Sequence, residues 1–210
     1  MKKQSFQKIF LILKKEYPQP DTVLKFGNPL QIMVATILSA QCTDKRVNII
    51  TKNLFKKYKT VKDYANASQK EFEIDIKSSG FYKNKAKNII NACKMIIKKF
   101  DGKVPDTMGE LIKLPGVARK TANVVLSHAY GVVEGMAVDT HVTRLSQRIG
   151  LSKNKDPNKI EQDLLKLVPK NYWDKFSLSL IWHGRKVCNA RKPKCSECKL
   201  NKLCESAFKV

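Results

Sequence analysis

Between residues 3 and 16 the apolar side chains Phe6, Ile9, Phe10 and Leu13 recur at three- and four-residue intervals, and Pro18 and Pro20 follow. This spacing predicts an amphipathic helix that the prolines stop. Asn28-Pro29 reads as an N-cap with proline in the first turn. Leu30 to Ala40 is apolar nearly all round, the pattern of a buried helix, and it ends in the polar corner Ser39-Ala40-Gln41-Cys42-Thr43-Asp44. Thr43 is the predicted cap of a helix carrying Val47, Ile50 and Leu54. Ser68-Gln69-Lys70-Glu71 has capping-box spacing. Ser78-Ser79-Gly80 breaks the helix it opens and leaves Phe81-Tyr82 at a turn. A long helix then runs to about Phe100, with Ala86, Ile89, Ile90, Cys93 and Ile97 inward and Lys83, Lys85, Lys87 and Lys94 outward. Asp101-Gly102 ends it. Residues 107–113 and Ala118 to Tyr130 give two further helices. Val138-Asp139-Thr140-His141 leads into one ending near Ile149, Asp156-Pro157 opens one to Val168, and Tyr172 to Lys186 is the last long one. No stretch sustains strand alternation, no linker or repeat period stands out, and the chain reads as all-α.

Hydrophobic residues make up 42% of the 210, enough for a real core in one large domain or two small ones. Lys and Arg number 41 against 18 Asp and Glu, a formal net charge of +23 spread along the whole chain. Such an excess favours a polyanionic partner, nucleic acid first. Biased codon usage is one alternative, although it would enrich Lys, Asn and Ile without removing acids. An anionic membrane surface is another. No apolar run reaches the roughly 18 residues of a membrane span, and the amphipathic start, Met1 to Glu16, has no cleavable signal pattern. The expectation is a cytoplasmic protein with no membrane partner.

Candidate chemistry centres on Leu114-Pro115-Gly116-Val117-Ala118-Arg119-Lys120-Thr121-Ala122. Pro115 and Gly116 force a turn between two helices. The second helix begins with unpaired backbone N–H groups, which suit a phosphate. The arrangement is similar to a helix-hairpin-helix, a motif that grips a nucleic-acid backbone without reading bases. Its usual Gly-Val-Gly is Gly116-Val117-Ala118 here. Lys120 falls in the first turn of the second helix, where the helix dipole disfavours a charged ammonium. A free amine there is available as a nucleophile. Taken alone, Lys120 reads equally as a solvated lysine on a basic helix.

Of six cysteines, four crowd into the last 23 residues as Cys188, Cys195, Cys198 and Cys204, a C-x6-C-x2-C-x5-C pattern. In a reducing compartment such a cluster argues for metal ligation over disulfides. Four thiolates can hold a [4Fe–4S] cluster or a tetrahedral zinc. A single C-x2-C pair with longer arms suits the cubane better than two zinc knuckles. The loop inside the cluster carries Arg191, Lys192 and Lys194 around Pro193, three cations that a pinned loop would hold against a phosphate backbone. Cys42 and Cys93 lie in helical contexts, as ordinary core thiols do.

Leu-Pro-Gly-Val-Ala-Arg-Lys-Thr-Ala, then Val-Asp-Thr-His, then the four-cysteine pattern together resemble the endonuclease III family, bifunctional DNA glycosylase/AP lyases of base-excision repair. Leu38-Ser39-Ala40-Gln41 and Gly80-Phe81-Tyr82-Lys83-Asn84-Lys85-Ala86 extend the resemblance over nearly the whole chain. The resemblance implies an all-α fold, with a six-helix domain over residues 22–132 carrying the helix-hairpin-helix. An iron–sulfur domain, made of residues 1–21 and 133–210, packs against it. The active site lies in the cleft between the two. It implies a [4Fe–4S] cluster on the four cysteines, a monomer, and duplex DNA bearing a damaged base or abasic site as partner, which places the protein with the nucleoid.

The resemblance also implies residue roles. Lys120 matches the Schiff-base lysine and Asp139 the essential aspartate, and an N-cap is the alternative use for Asp139. Gln41 and Phe81 match the residues that fill the space of an extruded base. The family commonly has an aliphatic residue at the second position. A helix-end amide and a core aromatic are the plainer readings of these two. Leu114, Gly116, Ala118 and Arg119 would meet the DNA backbone, as would Arg191, Lys192 and Lys194. Ser39, Asp44 and His141 are substrate-pocket candidates, His141 being equally a packed or capping histidine. A monofunctional relative would activate water instead of using a lysine, and a non-catalytic DNA-binding scaffold would need neither Lys120 nor Asp139.

Overall fold

The structure, a computed structural model, describes residues 3–210. Met1 and Lys2, the first residues of the expected amphipathic start, lie outside them. In chain order the α-helices are α1 (Lys3–Glu16), α2 (Pro29–Ser39), α3 (Asp44–Lys57), α4 (Val61–Ala65), α5 (Gln69–Asp75) and α6 (Tyr82–Lys99). There follow α7 (Met108–Leu111), α8 (Arg119–Val125), α9 (Thr140–Ile149), α10 (Pro157–Leu167) and α11 (Trp173–Lys186). Among the described residues there is no strand. The chain divides into two compact units, Val23–Glu134 and Met1–Thr22 with Gly135–Val210.

In the unit Val23–Glu134, α2 is the central rod. Asn28 accepts from the Gln31 N–H and Pro29 occupies the first turn, so the start is capped as its sequence predicts. Every residue from Ile32 to Leu38 is buried. Helices α3 and α8 pack on it, and α4 and α5 pack on α6. Full burial of one such aliphatic side chain contributes about 1.5–3 kcal/mol, so the rod is apolar all round because it is surrounded. Tyr58, Tyr64 and Phe72 form an aromatic knot, with ring centroids 5.2 to 5.8 Å apart.

The other unit has its own core. Phe6, Ile9 and Leu13 of α1 are buried and join Val142, Leu145, Ile160, Leu164, Phe176 and Leu180. Phe6 meets Phe176 at 5.9 Å, and Phe10 meets Tyr172 edge-on at 5.1 Å. Asp156 caps α10 by accepting from the Lys159 N–H at 3.0 Å.

Several sequence expectations need correction. Ser68 precedes α5, but its side chain makes no cap hydrogen bond. The capping box is instead at Thr60–Asp63, where the Asp63 carboxylate accepts from the Lys59 and Thr60 N–H groups, each at 2.8 Å. Lys85, expected outward, is buried at 5% exposure, because positions 85, 89, 92 and 96 form one stripe of α6. Ile97, expected inward, is 38% exposed, and Ile96 takes its place in the core. The helix expected to run to Tyr130 leaves α geometry after Val125 and finishes as a π-helical turn, Leu126–Tyr130, capped by Gly131 at φ +66°.

Candidate active site

The hairpin turn follows α7. The Leu111 carbonyl accepts from the Leu114 N–H, and the Leu114 carbonyl accepts from the Val117 N–H at 3.1 Å. Gly116 sits at φ +79°, and a Cβ there would lie 2.8 Å from Asn88 Cβ, so this turn requires glycine. Leu114 and Val117 are buried and anchor the turn, while Gly116 and Ala118 are exposed. Ala118 is the N-cap of α8 and contributes no side-chain acceptor. The first backbone N–H groups of α8 therefore begin the helix without a side-chain cap. Arg119 and Lys120 occupy its first two positions, both half-buried.

The corner between α2 and α3 carries Ser39, Gln41 and Asp44. Ser39 Oγ donates to the Thr36 carbonyl at 2.8 Å. Thr43 caps α3 by accepting from the Arg46 N–H, and Asp44 begins that helix half-buried. Gln41 is exposed at φ +53°. Phe81 is 64% exposed at φ +47°, directly before α6. A left-handed conformation is unfavourable for a side chain with a Cβ by about 1–2 kcal/mol. Both turns thus hold an unfavourable backbone while presenting a large side chain to solvent. They are brought together by Lys85, whose Nζ donates to the Leu38 carbonyl and to the Ser79 carbonyl, each at 2.8 Å. Burial pushes the Lys85 ammonium below the usual lysine range.

In the unit containing α9, Asp139 is the N-cap. Its Oδ1 accepts from the His141 and Val142 N–H groups, each at 2.8 Å, so the cap occupies one of two carboxylate oxygens. His141 Nδ1 lies 3.1 Å from Arg144 Nη2 and packs on Gly184. Burial pushes His141 below the usual histidine range.

Cys188, Cys195, Cys198 and Cys204 form no disulfide; all four are half-buried and line one cavity of about 30 Å³. Among the described residues no three His, Cys, Asp or Glu side chains converge as a single-ion site. Two arginines of α9 hold the loop at the first cysteine. Arg144 Nη2 donates to the Gly184 and Cys188 carbonyls at 3.0 and 2.9 Å. Arg148 donates to the Asn189 and Ala190 carbonyls and lies 3.4 Å from Cys188 Sγ. Burial lowers His183 to about 4, which makes it a neutral imidazole with one N–H. Its Nδ1 is 3.1 Å from Tyr17 OH and its Nε2 is 3.4 Å from Cys198 Sγ. Burial pushes Tyr17 up to about 12, so the phenol beside the ring keeps its proton. Arg191, Lys192 and Lys194 are exposed on this loop, and Lys194 pairs loosely with Glu197 at 3.7 Å.

Sequence reasoning missed Lys85, Arg144, Arg148 and His183. The signal for Lys85 was its register on the apolar stripe of α6, overruled by its charge. Arg144 and Arg148 are one helical turn apart with no acid in α9 to pair with, a hint that their partners are backbone carbonyls.

Comparisons with known proteins agree with one another. The family described as HhH-GPD superfamily base excision DNA repair protein matches residues 34–170. The endonuclease III of Synechocystis sp. is 56% identical over 98% of this chain and 94% of its own. That of Bacillus subtilis is 48% identical over 92% of this chain and 88% of its own. A solved structure of a trapped endonuclease III–DNA covalent intermediate superimposes with a TM-score of 0.96 at 43% identity, covering 100% of this chain and 98% of that one. No helix among the described residues is long and apolar enough to cross a membrane.

Proposed function

This chain belongs to the HhH-GPD superfamily of base excision DNA repair proteins, and from that premise we propose how its residues divide the work. It is a DNA glycosylase and AP lyase that removes oxidised pyrimidines. The substrate is duplex DNA bearing a damaged base or an abasic site, and the protein acts as a monomer at the nucleoid.

The damaged base must leave its stack to be reached. Gln41 and Phe81 fill the space it vacates, the aromatic ring by stacking. The Gly116 turn and the start of α8 hold the backbone through N–H groups, and Arg119, Arg191, Lys192 and Lys194 add charge. Leu114 contributes through its place in the turn, since its side chain is buried. Ser39, Asp44 and His141 are assigned to the substrate side.

The Lys120 amine attacks C1′ of the sugar, and the C1′–N bond to the base breaks with its electron pair leaving on the base. The nitrogen passes one proton to the departing base, its lone pair then breaks the C1′–O4′ bond, O4′ takes up a proton, and the sugar opens to a protonated imine. The imine acidifies the C2′ proton. Its removal expels the 3′ phosphate by β-elimination. Asp139 stabilises positive charge developing on the sugar or relays the lysine proton. The observation that carries this reading is Lys120 at the head of α8 directly behind a glycine-dependent turn, in a chain matched along its length by endonuclease III relatives.

Cys188, Cys195, Cys198 and Cys204 are assigned as ligands of a [4Fe–4S] cluster. Four cysteines around one small cavity fit such a group, and their thiolates would hold it. When bound, the group cross-links the C-terminal loop. Residues 1–21 and 133–210 are then the iron–sulfur domain and residues 22–132, with α2 to α8, the helix-hairpin-helix domain expected to have six helices and found with seven. Purified protein lacking iron and sulfide would remove the cluster from the assignment.

Borohydride trapping tests the reaction. Wild-type protein on duplex with one abasic site or one thymine glycol gives a covalent band, and Lys120→Ala gives none. Base release without a band would make the protein monofunctional. Binding with neither would leave a scaffold.

A further inference from the structure

Lys85 is an unusual residue for its place. It lies at the fourth position of α6, near the helix end that disfavours cations, and only 5% of it is exposed. An uncompensated buried ammonium is strongly unfavourable. A methionine would fill much the same space without a charge. What a methionine would not do is donate hydrogen bonds, and Lys85 makes two of them, to carbonyls 41 residues apart in sequence.

Both carbonyls end helical elements. Leu38 lies in the last turn of α2, and Ser79 closes the short 3₁₀ turn Lys77–Ser79. Carbonyls at such ends have no partner further along the helix and attract a cation. Gln41 follows three residues after the first and Phe81 two residues after the second. The Lys85 backbone N–H also donates to the Phe81 carbonyl at 3.1 Å. One residue thus touches both turns whose exposed tips hold left-handed backbone. Such conformations persist only where the surroundings over-determine them.

We propose that Lys85 is a positioning residue that ties the Gln41 turn to the Phe81 turn, so that the two side chains act on DNA as one two-pronged wedge at fixed spacing. This rests on the reading that Gln41 and Phe81 occupy the space of the extruded base. The clamp lies entirely within the unit Val23–Glu134. It makes the two insertions cooperative: with the tie removed, each tip pays its own ordering entropy when it meets DNA.

The test uses full-length protein and duplex carrying a tetrahydrofuran abasic analogue opposite 2-aminopurine, whose fluorescence rises on unstacking. Wild-type protein brightens it. Lys85→Met is expected to lose most of that rise and to bind about tenfold more weakly. Lys85→Gln keeps a donor and falls between the two, which also covers a methionine variant that does not fold. The decisive comparison is with Gln41→Ala/Phe81→Ala. Adding Lys85→Met to that pair should weaken binding no further, because no wedge remains to position. An additive loss would mean that Lys85 acts on stability alone and overturns the proposal. If the Gln41→Ala/Phe81→Ala pair keeps the full signal, the wedge reading itself falls, and the clamp with it. If the pair loses the signal while both Lys85 variants keep it, only the clamp falls.

Discussion

Asp139 caps α9 and is the acid–base group of the proposed reaction, two roles that a single substitution separates. Its Oδ1 accepts from two N–H groups at the start of α9, and asparagine caps a helix about as well as aspartate. Asparagine has no charge with which to stabilise a sugar cation or carry a proton. Asp139→Asn is therefore expected to leave the melting temperature nearly unchanged. It should slow single-turnover base release by about 10²–10⁴-fold, the usual range for a general acid–base group. Equal base release in the two proteins would reduce Asp139 to a cap. The turn and helix that carry Lys120 were legible because they are local, and Gly116 announces the turn. Lys85 was not legible. Helical register put it on the buried stripe, but only its two carbonyl partners, from other parts of the chain, explain why a cation is tolerated there.

At the scale of elements, the corrected capping box gives a prediction with a definite sign in pH. Hydrogen bonds from the Thr60 and Lys59 backbone N–H groups hold the Asp63 carboxyl below the usual carboxylate range. A carboxyl whose folded pKa is depressed contributes stability above its unfolded pKa and loses it as pH falls through the folded value. The melting-temperature gap between wild type and Asp63→Asn should stay constant from neutral pH to about pH 5, then close below about pH 4. Thr60→Ala should cost about 1 kcal/mol in denaturant unfolding, whereas Ser68→Ala should cost only a few tenths. The reverse order would restore Ser68 as the working cap. Both segments carry a hydroxyl followed three residues later by an acid, and sequence alone ranks Ser68-Gln69-Lys70-Glu71 the higher. The difference lies in the chain before the cap, which delivers two N–H groups to Asp63 and none to Glu71. The π-helical turn after α8 was illegible for a similar reason, since a widened turn leaves the apolar spacing nearly intact.

For the whole molecule, the +23 charge predicts DNA binding dominated by phosphate contacts and release of counterions. If the hairpin and the 191–194 loop neutralise about six phosphates, affinity falls by roughly 10³-fold between 50 and 200 mM salt. A nearly flat salt dependence in fluorescence anisotropy would reassign the charge to something other than duplex DNA. The amino-acid order by itself determined most of the helices, the caps at Asn28, Thr43 and Asp156, the glycine turn before Lys120 and the family, because each depends on neighbours within a few positions or on a pattern of residue types. Only the tertiary structure decided which polar groups are buried and what holds them. Lys85 between two loops, Arg144 and Arg148 on the Cys188 loop, and His183 between Tyr17 and Cys198 all join residues distant in sequence. Burying a charge or a polar ring is unfavourable until its partners arrive, and those partners are brought by the packing of the core and by no pattern in the local chain.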